Sequence, residues 1–137
     1  MSFVVDNSVA LTWCFEDERT PATTALLEQI AEVGGLAPML WPLEALNGLL
    51  VAERRGRLDA SRRQRLAGFL HALPIRLDAE TASQAWTETA HLAERFSLSA
   101  YDAAYLELAQ RHQLPLATLD RDLRSAATAL GVAILGS

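Results

Sequence analysis

Short apolar runs alternate along the chain with longer stretches of helical spacing. Phe3-Val4-Val5 is an apolar run of strand length that stops at Asp6. Thr20-Pro21 pairs a capping residue with proline at a first helical position. Leu26, Leu27 and Ile30 follow at helical spacing, and Gly34-Gly35 ends the pattern. Leu36–Leu40 predicts a second strand, weakened by Pro38, which has no N–H for a ladder. A helix from about Pro42, carrying Leu43, Leu46, Leu50 and Val51, should end near Gly56, and Ser61 caps another to about His71. Pro74–Leu77 reads as a short strand, after which Asp78 caps a long helix with Ala82, Trp86 and Ala90 on one side. Tyr101, Ala104, Tyr105, Leu108 and Ala109 form the clearest amphipathic stripe. Leu114–Leu119 is a further strand, Asp120 caps a helix to about Leu130, and Val132–Leu135 closes the series.

Short strands separated by one or two helices predict an α/β fold with a mostly parallel central sheet of four to five strands flanked by helices. With 137 residues, and no repeat or linker, residues 1–137 read as a single domain. Half of the residues are hydrophobic and 21% charged, enough to bury a core. Seventeen acids against twelve bases give a net charge of −5, which argues against a general polyanion-binding surface but leaves room for a local basic patch. Every base is Arg. The absence of Lys excludes the P-loop, Schiff-base chemistry and Lys-dependent phosphotransfer, including receiver domains and haloacid-dehalogenase-like phosphatases. A single cysteine, Cys14, excludes an internal disulfide framework and a Cys-rich zinc site, and the residue packs best against the sheet. Neither a signal peptide nor an apolar run of membrane-spanning length is visible, so the expectation is a cytoplasmic protein without membrane contact.

In open parallel sheets, ligands bind beyond the carboxyl ends of the strands. Asp6 follows the first strand, Glu44 lies in the first turn after the second, Asp120 follows Leu119, and Asp102 opens the helix that leads into that strand. Each acid has an ordinary structural explanation. Asp6 and Asp120 suit N-caps, Glu44 suits a helix dipole, and Asp102 three residues after Ser99 resembles a capping box. Four carboxylates converging on one edge, however, repel one another unless a cation neutralises them. An all-oxygen set without His or Cys favours Mg²⁺ or Mn²⁺ over Zn²⁺, and the matching reaction is phosphodiester hydrolysis by a metal-activated water.

Val4-Val5-Asp6-Asn7-Ser8-Val9-Ala10-Leu11, Pro42-Leu43-Glu44-Ala45-Leu46-Asn47, Ser99-Ala100-Tyr101-Asp102-Ala103-Ala104-Tyr105-Leu106 and Leu116-Ala117-Thr118-Leu119-Asp120 together resemble the PIN-domain ribonucleases, and in particular the VapC toxins of bacterial toxin–antitoxin pairs. The four segments occur in the family's order and span nearly the whole chain. The resemblance implies a PIN fold and an Mg²⁺- or Mn²⁺-dependent endoribonuclease that cuts cellular RNA, dimerises with itself and is silenced by a VapB-like antitoxin. By position it also implies that Asp6, Glu44, Asp102 and Asp120 are the catalytic, metal-binding quartet, with Asp6 and Asp102 the principal ligands. Ser8 and Thr118 match hydroxyl residues that hydrogen-bond a carboxylate or metal-bound water, and Asn47 matches an asparagine supporting the site from behind. Asp122 competes with Asp120 as fourth acid, although its place in a first helical turn suits dipole stabilisation.

Arg54, Arg55, Arg57, Arg62, Arg63 and Arg65 put six bases into twelve residues, opposed within that span only by Asp59. They read either as a patch tracking RNA phosphates or as a solvated hairpin between two helices. His71, His91 and His112 have no ligand spacing, and Trp13, Trp41 and Trp86 suit core packing better than a stacking platform. Two other readings remain open: a catalytically silent PIN-like module that binds RNA or a partner, and a DNA nuclease of related fold.

Overall fold

The computed structural model describes residues 1–137. Strands β1 (Val4–Val5), β2 (Gly35–Pro38), β3 (Ile75–Asp78), β4 (Leu116–Ala117) and β5 (Ile134–Leu135) form one wholly parallel sheet in the order β3-β2-β1-β4-β5. Around it lie helices α1 (Asn7–Thr12), α2 (Pro21–Val33), α3 (Trp41–Arg54), α4 (Ala60–Ala72), α7 (Ala100–His112) and α8 (Arg121–Ala129). Between α4 and α7, α5 (Thr81–Gln84) continues through a π-helical stretch, Ala85–Thr89, into α6 (Ala90–Phe96). The chain builds outward from β1 to β3, then crosses back and builds β4 and β5 on the other side. This reversal makes the junction of β1 and β4 the switch point, where a parallel sheet opens a crevice at its carboxyl edge.

Burial explains the central position of β1. Phe3, Val4 and Val5 are all 0% exposed, as expected of a strand covered on both faces. Above the sheet, α7 buries every residue from Ala103 to Ala109, so it is a core helix rather than an amphipathic one. No helix is long and apolar enough to cross a membrane.

Several local expectations change. The buried face of α3 is Trp41, Ala45, Leu49 and Ala52, whereas Leu43 is 73% exposed and Leu46 39%. α1 packs closely against α3 beside Gly48, where a Cβ would stand 2.7 Å from Leu11 Cδ1. Trp86 is 88% exposed rather than in the core, and Ala82 and Ala90 are exposed with it: the side that reads as apolar faces outward, while Thr89 and Leu92 face the core. Trp13, Trp41 and Cys14 are buried as expected. Asp59, not Ser61, caps α4 by accepting from Arg62 N, and Asp78 ends β3 instead of capping a helix.

Asp78 belongs to a charged cluster that ties the edge strand to α7. The Arg111 guanidinium donates to Asp78 Oδ2 at 2.6 Å, to Glu107 Oε2 at 2.7 Å and to Glu80 Oε2 at 3.1 Å. Burial pushes the Asp78 carboxyl up, but hydrogen bonds from Arg111, the Glu80 amide and Thr81, with the Arg111 charge, outweigh it and hold the group below its ordinary range. Removing one partner of a buried pair strands the others, so Arg111→Met should cost about 3–5 kcal/mol in urea denaturation at pH 7. The sign of the pH effect follows from the lowered Asp78 value. The stabilisation is complete above the unfolded carboxylate pKa, about 4, and is lost as pH falls through the still lower folded value. The gap between wild type and variant should therefore narrow below about pH 4. An equal gap at every pH would show that Arg111 acts through packing alone.

Candidate active site

The pairing of Val4 with Leu116 and Val5 with Ala117 brings the residues after β1 and β4 side by side. Asp6 N donates to Ala117 O at 2.9 Å, which extends the ladder one step and fixes the Asp6 side chain over the crevice. Asp6 occupies the N-cap position of α1, yet its carboxylate makes no capping bond. Instead Oδ2 accepts from Ser8 Oγ at 2.6 Å and from Thr118 Oγ1 at 2.9 Å. Ser8 Oγ in turn accepts from Leu119 N at 3.0 Å, and Thr118 Oγ1 from Asp120 N at 3.1 Å. Both hydroxyls are thus oriented by the backbone leaving β4, so their protons point at one oxygen of Asp6. Oδ1 accepts from no side chain.

Glu44 reaches the same crevice from the first turn of α3, where its Oε1 accepts from the Tyr105 hydroxyl at 2.6 Å. Asp102 comes from the first turn of α7, whose cap Ser99 accepts from Asp102 N at 3.1 Å. The Asp102 carboxylate itself is left free by that bond. Asp120 behaves differently. It is exposed and caps α8 by accepting from Leu123 N at 2.9 Å, so it serves as a cap at the rim of the crevice. Asp122 is exposed in the first turn of α8. Asn47 stands exposed on α3 and makes no side-chain hydrogen bond to the acids.

Electrostatics link three of these groups. The Asp6 carboxyl is pushed up by burial, a rise that the Ser8 and Thr118 hydroxyls and nearby amides only partly offset. Glu44 is raised first by burial, against the Tyr105 hydrogen bond, and further by Asp6 and Asp102. Asp102 is raised by burial, then by Asp6, Asp120 and Asp122, with Ser99 opposing. None of the ion pairs in the structure includes Asp6, Glu44, Asp102 or Asp120. The crevice therefore holds a surplus of negative charge that the chain does not neutralise.

That donor set fits a hard divalent cation: oxygen ligands only, one buried carboxylate with an open oxygen, and no competing Arg. No three acids, histidines or cysteines stand close enough to form a ready-made cage. Mg²⁺ does not need one, since it is usually bound by one or two carboxylates and keeps several waters.

The basic hairpin divides. Arg57 is committed to Asp17 and Glu18, stacking over the Phe15 ring at 4.2 Å, and Arg63 donates to Glu53 at 2.6 Å. Arg54, Arg55, Arg62 and Arg65 are exposed and form no ion pair. Glu44 and Arg54 lie on the same helix ten residues apart, about 15 Å at the α-helical rise. None of the free arginines bonds to an acid of the crevice. Tyr105, which the residue pattern marks only as core, is the contact that sequence reasoning missed; its partner lies 61 positions away.

The fold itself is shared with known proteins. Curated proteins give no significant sequence match. Solved structures share the fold at low identity. A Pyrobaculum aerophilum protein matches with 21% identity and a TM-score of 0.71, over 98% of this chain and 89% of that one. VapBC2 from Rickettsia felis, bound to a DNA fragment from its promoter, matches with 10% identity and a TM-score of 0.67, over 98% and 97%. The sarcin–ricin loop cleaving toxin VapC20 of Mycobacterium tuberculosis matches with 19% identity and a TM-score of 0.64, over 90% and 94%. The PIN domain family model matches residues 3–129, nearly the whole chain, and the protein belongs to the PIN-domain family.

Proposed function

We propose that this protein is a Mg²⁺- or Mn²⁺-dependent endoribonuclease, the toxin of a toxin–antitoxin pair, acting in the cytoplasm on cellular RNA with the whole chain as one functional unit. The observation that carries the reading is Asp6: a carboxylate 5% exposed, unpaired with any cation and held by two hydroxyls on one oxygen, with no side-chain donor on the other. Membership of the PIN-domain family and the toxin and toxin–antitoxin neighbours support it.

Asp6 and Asp102 hold the ion, with Glu44 and Asp120 completing the acidic ring around the scissile phosphate. A bound divalent cation supplies neutralisation of the phosphate charge and acidification of the attacking water. Ser8 and Thr118 keep Asp6 Oδ2 occupied, so that Oδ1 faces the reaction. Asn47, without a hydrogen bond in the free crevice, is left to contact substrate or solvent at its edge. Arg54, Arg55, Arg62 and Arg65 draw the RNA backbone toward the acids, while Arg57 and Arg63 mainly brace the hairpin. Two copies of the chain in a homodimer place two such patches beside one groove. A VapB-like antitoxin silences the site by setting a basic side chain among the acids in place of the metal.

Three outcomes follow. Asp6→Asn should lose at least about a hundredfold in RNA cleavage. Because folding raises the carboxyl pKa values in the crevice, wild-type stability falls as pH climbs from the ordinary carboxylate range through the raised values. The variant should melt about 3–5 °C higher at pH 7 without metal, and the gap should close near pH 4. Mn²⁺ should raise the melting temperature of the wild type and not of the variant. Cleavage by Asp6→Asn at the wild-type rate would sink the metal site.

Arg54→Glu, Arg62→Glu and Arg65→Glu combined should weaken RNA binding and reduce the slope of log affinity against log salt by about 0.7 per lost phosphate contact. An unchanged slope would make the hairpin a solvated surface. Expression of the wild type alone should arrest a bacterial host that tolerates the Asp6→Asn form, and equal growth of the two strains would argue for a non-catalytic module.

A further inference from the structure

We infer that Tyr105 is a positioning residue for the acidic site: its buried hydroxyl fixes the Glu44 carboxylate in the geometry that receives the divalent cation. This inference rests on the metal-dependent reading above. Tyr105 is 0% exposed, and its phenol donates to Glu44 Oε1 at 2.6 Å, a length typical of an O–H···O⁻ bond to a charged acceptor. No other side-chain hydrogen bond reaches the Glu44 carboxylate. A glutamate has three side-chain torsions, and on the first turn of α3 nothing else keeps Glu44 turned toward Asp6 and Asp102 rather than outward to water.

The position of Tyr105 in the sequence makes the contact more than satisfaction of a core phenol. Tyr105 lies three residues after Asp102, on the same face of α7. One helix therefore carries one acid of the site and the donor that sets another acid, itself delivered by α3. Since Tyr105 donates, Oε1 is occupied as an acceptor and Oε2 is left as the oxygen free for a cation or its water. The arrangement matches the one at Asp6, where Ser8 and Thr118 occupy Oδ2 and leave Oδ1 open.

A double-mutant cycle on Mn²⁺ affinity, read from the electron paramagnetic resonance signal of free Mn²⁺, separates positioning from packing. Tyr105→Phe keeps the ring and removes only the hydroxyl. Circular dichroism should be unchanged, because the half-buried Glu44 that loses its partner retains access to water. The variant should bind Mn²⁺ about tenfold more weakly, in line with loss of a group that orients a ligand. In a Glu44→Ala background the same change should have no further effect on affinity. Undiminished Mn²⁺ affinity in Tyr105→Phe, or an equal loss in both backgrounds, would overturn the inference and leave the metal reading standing. Absence of Mn²⁺ binding by the wild type would overturn the metal reading, and this inference with it.

Discussion

Burying a carboxylate without a counter-charge costs several kcal/mol, and proteins normally avoid it by pairing the group or keeping it protonated. Asp6 has no cation partner, and burial pushes its carboxyl pKa up; much of the surrounding structure follows from that. It sits at the end of a fully buried strand, so its backbone cannot move outward without breaking the β1–β4 ladder. Its neighbours offer hydroxyls and backbone amides, which stabilise the charge without cancelling it. Glu44 and Asp102 add charge of the same sign. The fold accepts this cost because β1 is locked in place by apolar burial on both faces.

The same helix handles a second group of acids in the opposite way. At its C-terminal end, α7 presents Arg111 to Asp78, Glu80 and Glu107, and one guanidinium satisfies all three in a near-planar fork. At its N-terminal end, α7 presents Asp102 with no cation at all. Both placements agree with the helix dipole, which favours acids at the start and bases at the end. The dipole therefore makes Asp102 tolerable and leaves it available, whereas Asp78 is consumed by structure. An acid-rich sequence thus divides into braces and a site according to whether an arginine is within reach.

Much of this was legible in the residues. Phe3-Val4-Val5 announced a central strand because nothing in it is polar, and the acids at strand exits announced the crevice because parallel sheets place their exits on one edge. Ser8 and Thr118 were readable by their positions relative to Asp6 and Asp120. Failures arose where packing distance, not polarity, decides. Leu43 and Leu46 carry the apolar character of α3, but Gly48 and the alanines set how closely α1 approaches, and that turned the helix. Trp86 shares its exposed side with Ala82 and Ala90, so the spacing groups these residues correctly but does not tell which side faces the core. The pairing of Tyr105 with Glu44, and the division of the arginines into paired and free, depend on contacts distant in sequence that no local pattern encodes.

The hydrogen bond from Thr118 to Asp6 joins residues 112 positions apart, and β4 is only two residues long. Local structure contributes little to such a junction, and pairings of this kind form slowly because the intervening chain must be ordered first. During synthesis the N-terminal elements β1, α1, β2 and α3 emerge early, yet the pocket around Asp6 has one wall missing until β4 leaves the ribosome. The crevice therefore assembles only once β4 is available, and not progressively along the chain. A nascent or truncated chain would present its acids separately, without the geometry that makes them a site. For a protein whose proposed target is the cell's own RNA, that order of assembly withholds hydrolytic competence until β4 has paired with β1.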